Sequence, residues 1–142
     1  MANFPLHPCF FGEHLLKANR KKPVGIVESE KTAIIASVYF PQFIWLATGG
    51  LGSLSIKKFN VLKGRRIFLF PDQGGLIKWQ KKASEISSFY DIDITVSDFI
   101  EKFAVQNATM KGVDLADLLV NHDIHFGWAL SQNDYPLFWD KL

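Results

Sequence analysis

The chain is poor in cysteine. Cys9 stands alone among 142 residues, which excludes an internal disulfide and a cysteine-built zinc cluster. An excess of one charge is also missing. Sixteen Lys and Arg against fourteen Asp and Glu leave a formal net charge of +2. That balance is too mild to mark a nucleic-acid protein and too mild to exclude one. No apolar run reaches membrane-spanning length, and the first residues lack a signal-peptide pattern, so a cytoplasmic protein with no membrane contact is expected. There is no internal repeat and no low-complexity segment. The glycine loop Thr48-Gly49-Gly50-Leu51-Gly52-Ser53 is not followed by Gly-Lys-Ser/Thr, so it is no Walker motif. It reads as a tight strand-to-helix turn, with a backbone phosphate cradle as the alternative. His122 and His125 have a ligand-like spacing without a partner set, and read as surface or tail histidines.

What is present is a sizeable apolar share, 48% of the residues, enough for one domain with a real core. Residues 1–22 read as a lead-in arm with a short helix near Gly12–Lys17. Residues 23–121 form the domain, and 122–142 an aromatic tail packed back on it. From Val24 the pattern alternates. Val24–Val27 is a buried strand, then Glu30–Tyr39 a helix with Ser29 as N-cap and Ile34, Ile35 and Val38 as its inner stripe. Phe43–Ala47 is a strand, Ser53–Leu62 a helix presenting Ile56, Phe59 and Leu62, and Arg66–Phe70 a strand. Gly75–Phe89 is a helix with Ile77, Ala83 and Ile86 inward around Trp79. Ile92–Val96 is a fourth strand, and Asp98–Phe103 and Leu115–Asn121 are short helices. Strands separated by helices imply an α/β fold of three α/β/α layers around a mainly parallel four-stranded sheet.

Two of those strands end in an acid. Val24-Gly25-Ile26-Val27 leads into Glu28, and Ile67-Phe68-Leu69-Phe70 leads through Pro71 into Asp72. In an open α/β sheet the carboxyl edge of the strands is where ligands bind, and two carboxylates there make a hard-oxygen site suited to Mg²⁺. Taken singly, each acid has a plainer reading. Glu28 serves as a helix-start carboxylate, Asp72 as a turn former, and Asp114 and Asp117 as helix-entry residues. Lys31 lies a helical turn past Glu28 and pairs either with a phosphate or with a surface acid. Lys57, Lys58, Lys63, Arg65 and Arg66 make a basic strip that suits a nucleic-acid backbone or a solvated face.

Glu28-Ser29-Glu30-Lys31, Phe70-Pro71-Asp72-Gln73-Gly74 and Lys111-Gly112-Val113-Asp114-Leu115-Ala116-Asp117 occur in an order that resembles a Toprim domain, the metal-binding fold of bacterial primases, topoisomerases and related nucleases. With Phe11-Gly12-Glu13-His14-Leu15-Leu16 the likeness narrows to a primase-related Toprim family common on mobile elements of Bacteroides-type bacteria. It covers roughly residues 10–121. The resemblance implies Mg²⁺-dependent (or Mn²⁺-dependent) phosphotransfer on nucleic acid, primase-like or nuclease-like, in DNA replication. It makes Glu28 the catalytic acid/base and Asp72, Asp114 and Asp117 the metal ligands. Lys31, Lys57, Lys58, Arg65, Arg66 and Lys111 would contact a single-stranded nucleic acid. The pattern departs from the family where Gly74 replaces an acid and Ser29 a glycine, so weak metal binding is expected. The alternative is a degenerate accessory module that binds nucleic acid, nucleotide or a replication or mobilisation protein from another chain without turnover.

Overall fold

The computed structural model describes residues 8–50, 54–107 and 111–121. The expected aromatic tail, His122 and His125, and part of the glycine loop lie outside the described residues.

Four short strands carry the fold: β1 (Val24–Val27), β2 (Ile44–Ala47), β3 (Ile67–Leu69) and β4 (Ile94–Val96). Four α-helices alternate with or follow them: α1 (Glu30–Tyr39), α2 (Leu76–Tyr90), α3 (Phe99–Gln106) and α4 (Leu115–Asn121). Two 3-10 helices, Glu13–Lys17 and Ile56–Leu62, complete the described elements. The sheet order is β2-β1-β3-β4 and every pairing is parallel. Val24 stands opposite Ile44 on one side and Ile67 on the other.

Alternation along the strands builds two cores, one on each face. Val24, Ile26, Ile44, Leu46, Ile67 and Leu69 face a cluster completed by Trp79, Ala83 and Ile86 of α2 and by Phe59 and Leu62. Val27, Trp45, Ala47 and Phe68 face the other, with Ala33 and Ala36 of α1, Ile100 and Phe103 of α3, and Leu118 and Leu119 of α4. Both faces are thus covered by helices, giving the α/β/α arrangement and explaining why β1, β2 and β3 are apolar and buried throughout.

Several side chains fall elsewhere than expected. α1 buries Thr32, Ala33 and Ala36 and leaves Ile34 and Val38 exposed, Val38 at 75%. Small residues let α1 sit close to both β2 and α4, so the bulky positions turn outward. Ile77 is 82% exposed. It lies about 200° around the helix from Trp79, since each residue advances about 100°. Ile56–Leu62 is a 3-10 helix, in which residues three apart eclipse one another, so the same Ile56, Phe59, Leu62 spacing serves the tighter helix. The lead-in segment is part of the domain: Phe10 and Leu16 enter the core, and Phe11 pairs with Ala47 on the outer edge of β2.

Ser29 caps α1 as expected, its hydroxyl accepting from the Thr32 N–H at 3.2 Å. Ser29→Ala should cost about 1 kcal/mol, measured by denaturant unfolding. No loss beyond error would show that water replaces the cap.

Candidate functional site: a carboxylate pair at the sheet's switch point

The strand order determines where a crevice opens. The chain leaves β1 for α1 on one face and leaves β3 for α2 on the opposite face. Neighbouring strands whose following helices diverge leave a gap outside their carboxyl ends, the usual ligand position in such sheets. Glu28 follows β1 and Asp72 follows β3, so the two acids flank that gap.

Glu28 is only 4% exposed, and its Oε1 is buried with no hydrogen-bond partner. Asp72 Oδ1 is in the same condition. The Asp72 carboxyl is pushed up to about 7, first by burial, then by the charge of Glu28 and by the hydrogen bond it donates to Glu28 when protonated. Asp114 and Asp117 push it in the same direction more weakly. Two ionised carboxylates cannot bond each other, so the pair needs a proton or a cation between them.

The backbone around Glu28 is held firmly. Its carbonyl accepts from the Gly49 and Gly50 N–H groups, at 3.0 and 3.2 Å, and from Thr48 Oγ1. These two glycine amides are therefore occupied and do not face a phosphate. Across the gap, Gly75 approaches so closely that a Cβ on it would stand 3.1 Å from Glu28 Oε1 and 3.2 Å from the Asp72 carbonyl.

Asp114 and Asp117 reach the rim by a different route. The Asp114 N–H donates to Asp117 Oδ2 and the Asp117 N–H to Asp114 Oδ1, a reciprocal cap on α4. Asp114 Oδ2 accepts from Thr32 Oγ1 at 3.1 Å and pairs with Lys31 Nζ at 3.2 Å. Burial alone would raise the Asp114 carboxyl, but the Asp117 N–H, Lys31 and Thr32 together hold it below its ordinary value. Lys31 is raised in turn, chiefly by its hydrogen bond to Asp114. Both Asp114 oxygens are thus engaged within the protein. Among the described residues no three of His, Cys, Asp and Glu converge to hold a metal ion. The wider ligand set expected from Asp72, Asp114 and Asp117 is not assembled, because the two helix-entry acids cap α4.

The basic residues also divide. Lys31, Lys57 and Lys111 are exposed. Lys58 is buried, only 9% exposed, its Nζ donating to the Thr48 carbonyl at 3.0 Å and lying 5.6 Å from the centre of the Phe10 ring. Arg65 donates to the carbonyls of Asn19 and Leu16, and burial lowers its pKa. Arg65 and Arg66 precede β3, at the sheet edge opposite Glu28 and Asp72. The five-residue basic strip is therefore not one surface: Lys58 is buried, and the part-buried Arg65 is tied to backbone carbonyls.

Two participants carry no sequence signal. Glu101 of α3 accepts from the Gly74 N–H at 2.8 Å, and Gln73 is stitched to Val113 by its backbone N–H and side-chain oxygen. Only the pairing of distant segments brings them to the rim. Gly74 has φ +85°, so the acid absent from this position would sit in a left-handed conformation that disfavours a side chain.

The molecule is thus an open parallel α/β domain with a carboxylate pair at its switch point, Glu28 buried and Asp72 half-buried. Residues 1–73, just over half the chain, match the family described as a domain of unknown function, DUF6371, and the chain belongs to that family. The matched stretch takes in both Glu28 and Asp72. No curated protein and no solved structure matches the chain.

Proposed function

We propose that this domain binds Mg²⁺ or Mn²⁺ between Glu28 and Asp72 and performs phosphoryl transfer on nucleic acid, in the manner of the Toprim domains its motifs resemble. The observation that carries the reading is the pair of buried, unpartnered oxygens, Glu28 Oε1 and Asp72 Oδ1, on either side of the switch-point crevice. A hard divalent cation fits such a donor pair, since Mg²⁺ is commonly held by one or two carboxylates and keeps several waters. Bound there, the ion would neutralise charge on phosphate oxygens. Glu28 is the acid/base candidate, being buried and held by its own carbonyl at a fixed depth. Asp114 steadies Lys31 at the rim, where the ammonium can meet a phosphate. Single-stranded DNA or RNA is the proposed substrate, met by Lys31, Lys57 and Lys111.

A second reading is favoured by Gly74 and by the absence, among the described residues, of a three-ligand group. In it the domain is an accessory module that binds nucleic acid, or a replication or mobilisation protein, without turnover. Mn²⁺ and Mg²⁺ titrations followed by calorimetry and NMR test the site itself. Weak binding is expected in the wild type, with Glu28→Gln and Asp72→Asn each losing about tenfold or more. Unchanged affinity in both variants would remove the site from this crevice. A single-stranded oligonucleotide assay then separates the readings: binding without Mg²⁺-dependent turnover leaves only the accessory module.

A further inference from the structure

We propose that the aromatic segment 122–142 of this chain docks in an apolar groove along the outer edge of β2, with residues 135–139 seated between α1 and the lead-in segment. The groove contains none of Glu28, Asp72, Asp114 and Asp117, so the metal reading is not involved.

The lead-in segment covers only part of that edge. Phe11 and Ala47 exchange backbone hydrogen bonds at 3.0 and 3.2 Å, which occupies the carboxyl half of β2. The chain then turns at Gly12 into the 3-10 helix, and the amino half, Ile44 and Trp45, becomes the floor of a groove of about 430 Å³. Phe11 and Leu15 stand on one wall, Ile34 and Ser37 of α1 on the other. Phe11, Leu15 and Ile34 are 44%, 45% and 58% exposed, and Val38, one turn further along α1, is 75% exposed. Single exposed apolar side chains are ordinary on a surface; a set gathered around one groove marks a binding surface.

Charge, reach and direction select the occupant. Residues 13–22, which build the lead-in wall, carry four Lys and Arg against one Glu, and Lys22 lines the groove itself. Glu13 is already engaged, accepting from the Phe10 N–H at 3.0 Å. Residues 122–142 carry the opposite balance, three Asp against one Lys, and Asp134 and Asp140 bracket Tyr135-Pro136-Leu137-Phe138-Trp139. An aromatic run with an acid at each end complements an apolar groove with a basic rim. The segment also reaches. It follows α4, which packs beside α1 and begins next to Gln73, on the β3 side of that helix. Crossing α1 to the β2 edge takes about 10–12 Å, the width of one helix. Residues 122–133, fully extended, span up to about 40 Å. Residues 1–7 run the wrong way: the Phe11–Ala47 bridge is antiparallel, so the chain ahead of Phe11 heads toward Thr48 and away from Trp45.

The test uses the full chain with Cys9→Ser and Val38→Cys, a nitroxide on the new cysteine, and amide NMR as the readout. The amide signals of Tyr135, Leu137, Phe138 and Trp139 should broaden. Ile34→Glu in the same background puts an acid on the groove wall and removes apolar contact; the broadening should fall about threefold or more. Ile77→Glu, on α2 at an 82% exposed position, should leave it unchanged and controls for a general loss of stability. Mixing nitroxide-bearing chain with isotope-labelled chain that carries no nitroxide should broaden none of these signals. Broadening in that mixture would seat a second copy's segment in the groove and overturn the proposal. Sharp signals in the nitroxide-bearing chain, or equal effects of Ile34→Glu and Ile77→Glu, would overturn it too.

Discussion

Asp72→Asn stabilises the metal-free protein at pH 8 and has little effect near pH 4. The folded Asp72 carboxyl titrates at about 7, against 3.8 for the free side chain. A carboxyl raised on folding contributes stability that is fully present below its unfolded value and is lost as pH rises through the folded one. Wild-type stability should therefore decline between about pH 4 and pH 7. The full shift corresponds to roughly 4 kcal/mol, and partial exposure with solvent screening reduces the expected effect to about 2 kcal/mol. Asn cannot ionise, so the variant escapes that decline while keeping nearly the same shape. Urea unfolding in EDTA at pH 4.5 and pH 8 measures the difference, and equal variant-minus-wild-type values at the two pH values would sink the idea. Adding Mg²⁺ at pH 8 should raise the wild type and leave Asp72→Asn nearly unmoved, because only the carboxylate pair gains from a cation.

That a destabilising pair sits here at all agrees with a binding role. Two acids whose buried oxygens lack partners face each other across one crevice, a local conflict of the kind that concentrates at functional sites. The pair was legible in the sequence. Val24–Val27 and Ile67–Phe70 are the apolar runs that a strand covered on both faces requires, and an acid follows each. Parallel pairing of the two strands then places Glu28 and Asp72 at one edge. The Ser29 cap was legible because its chemistry is local.

What the sequence left obscure depends on partners distant along the chain. Apolar Ile34 and Val38 marked a face of α1, but the helix turned its small residues inward because β2 and α4 leave little depth there. Lys58 and Arg65 resemble surface cations in composition, yet each caps carbonyls that only tertiary packing brings near. Asp114 and Asp117 satisfy a metal motif and a helix cap equally well as letters. The hydrogen bonds show the cap.

Gly25 is the residue whose substitution should disturb the fold and the site together. It lies in β1, between two paired strands, where a glycine is entropically costly and needs a reason. The reason is Trp45 on the neighbouring strand. A Cβ on Gly25 would meet the indole at 2.6, 2.7 and 2.9 Å, nearer than side chains tolerate. Trp45 cannot easily retreat, because Phe43 and Phe70 pack against it at centroid distances of 5.4 and 5.3 Å and its Nε1 donates to the Phe40 carbonyl. Gly25→Ala should therefore destabilise the protein by about 3 kcal/mol, at the upper end of the usual overpacking cost. The strain should displace β1 and with it Glu28, so divalent-cation affinity should fall as well. Trp45→Leu in the same background provides room for the new methyl. The double variant should recover much of the stability lost through Gly25→Ala relative to Trp45→Leu alone, a coupling that a double-mutant cycle by urea unfolding measures. Strictly additive losses would show that the indole is not what keeps residue 25 a glycine.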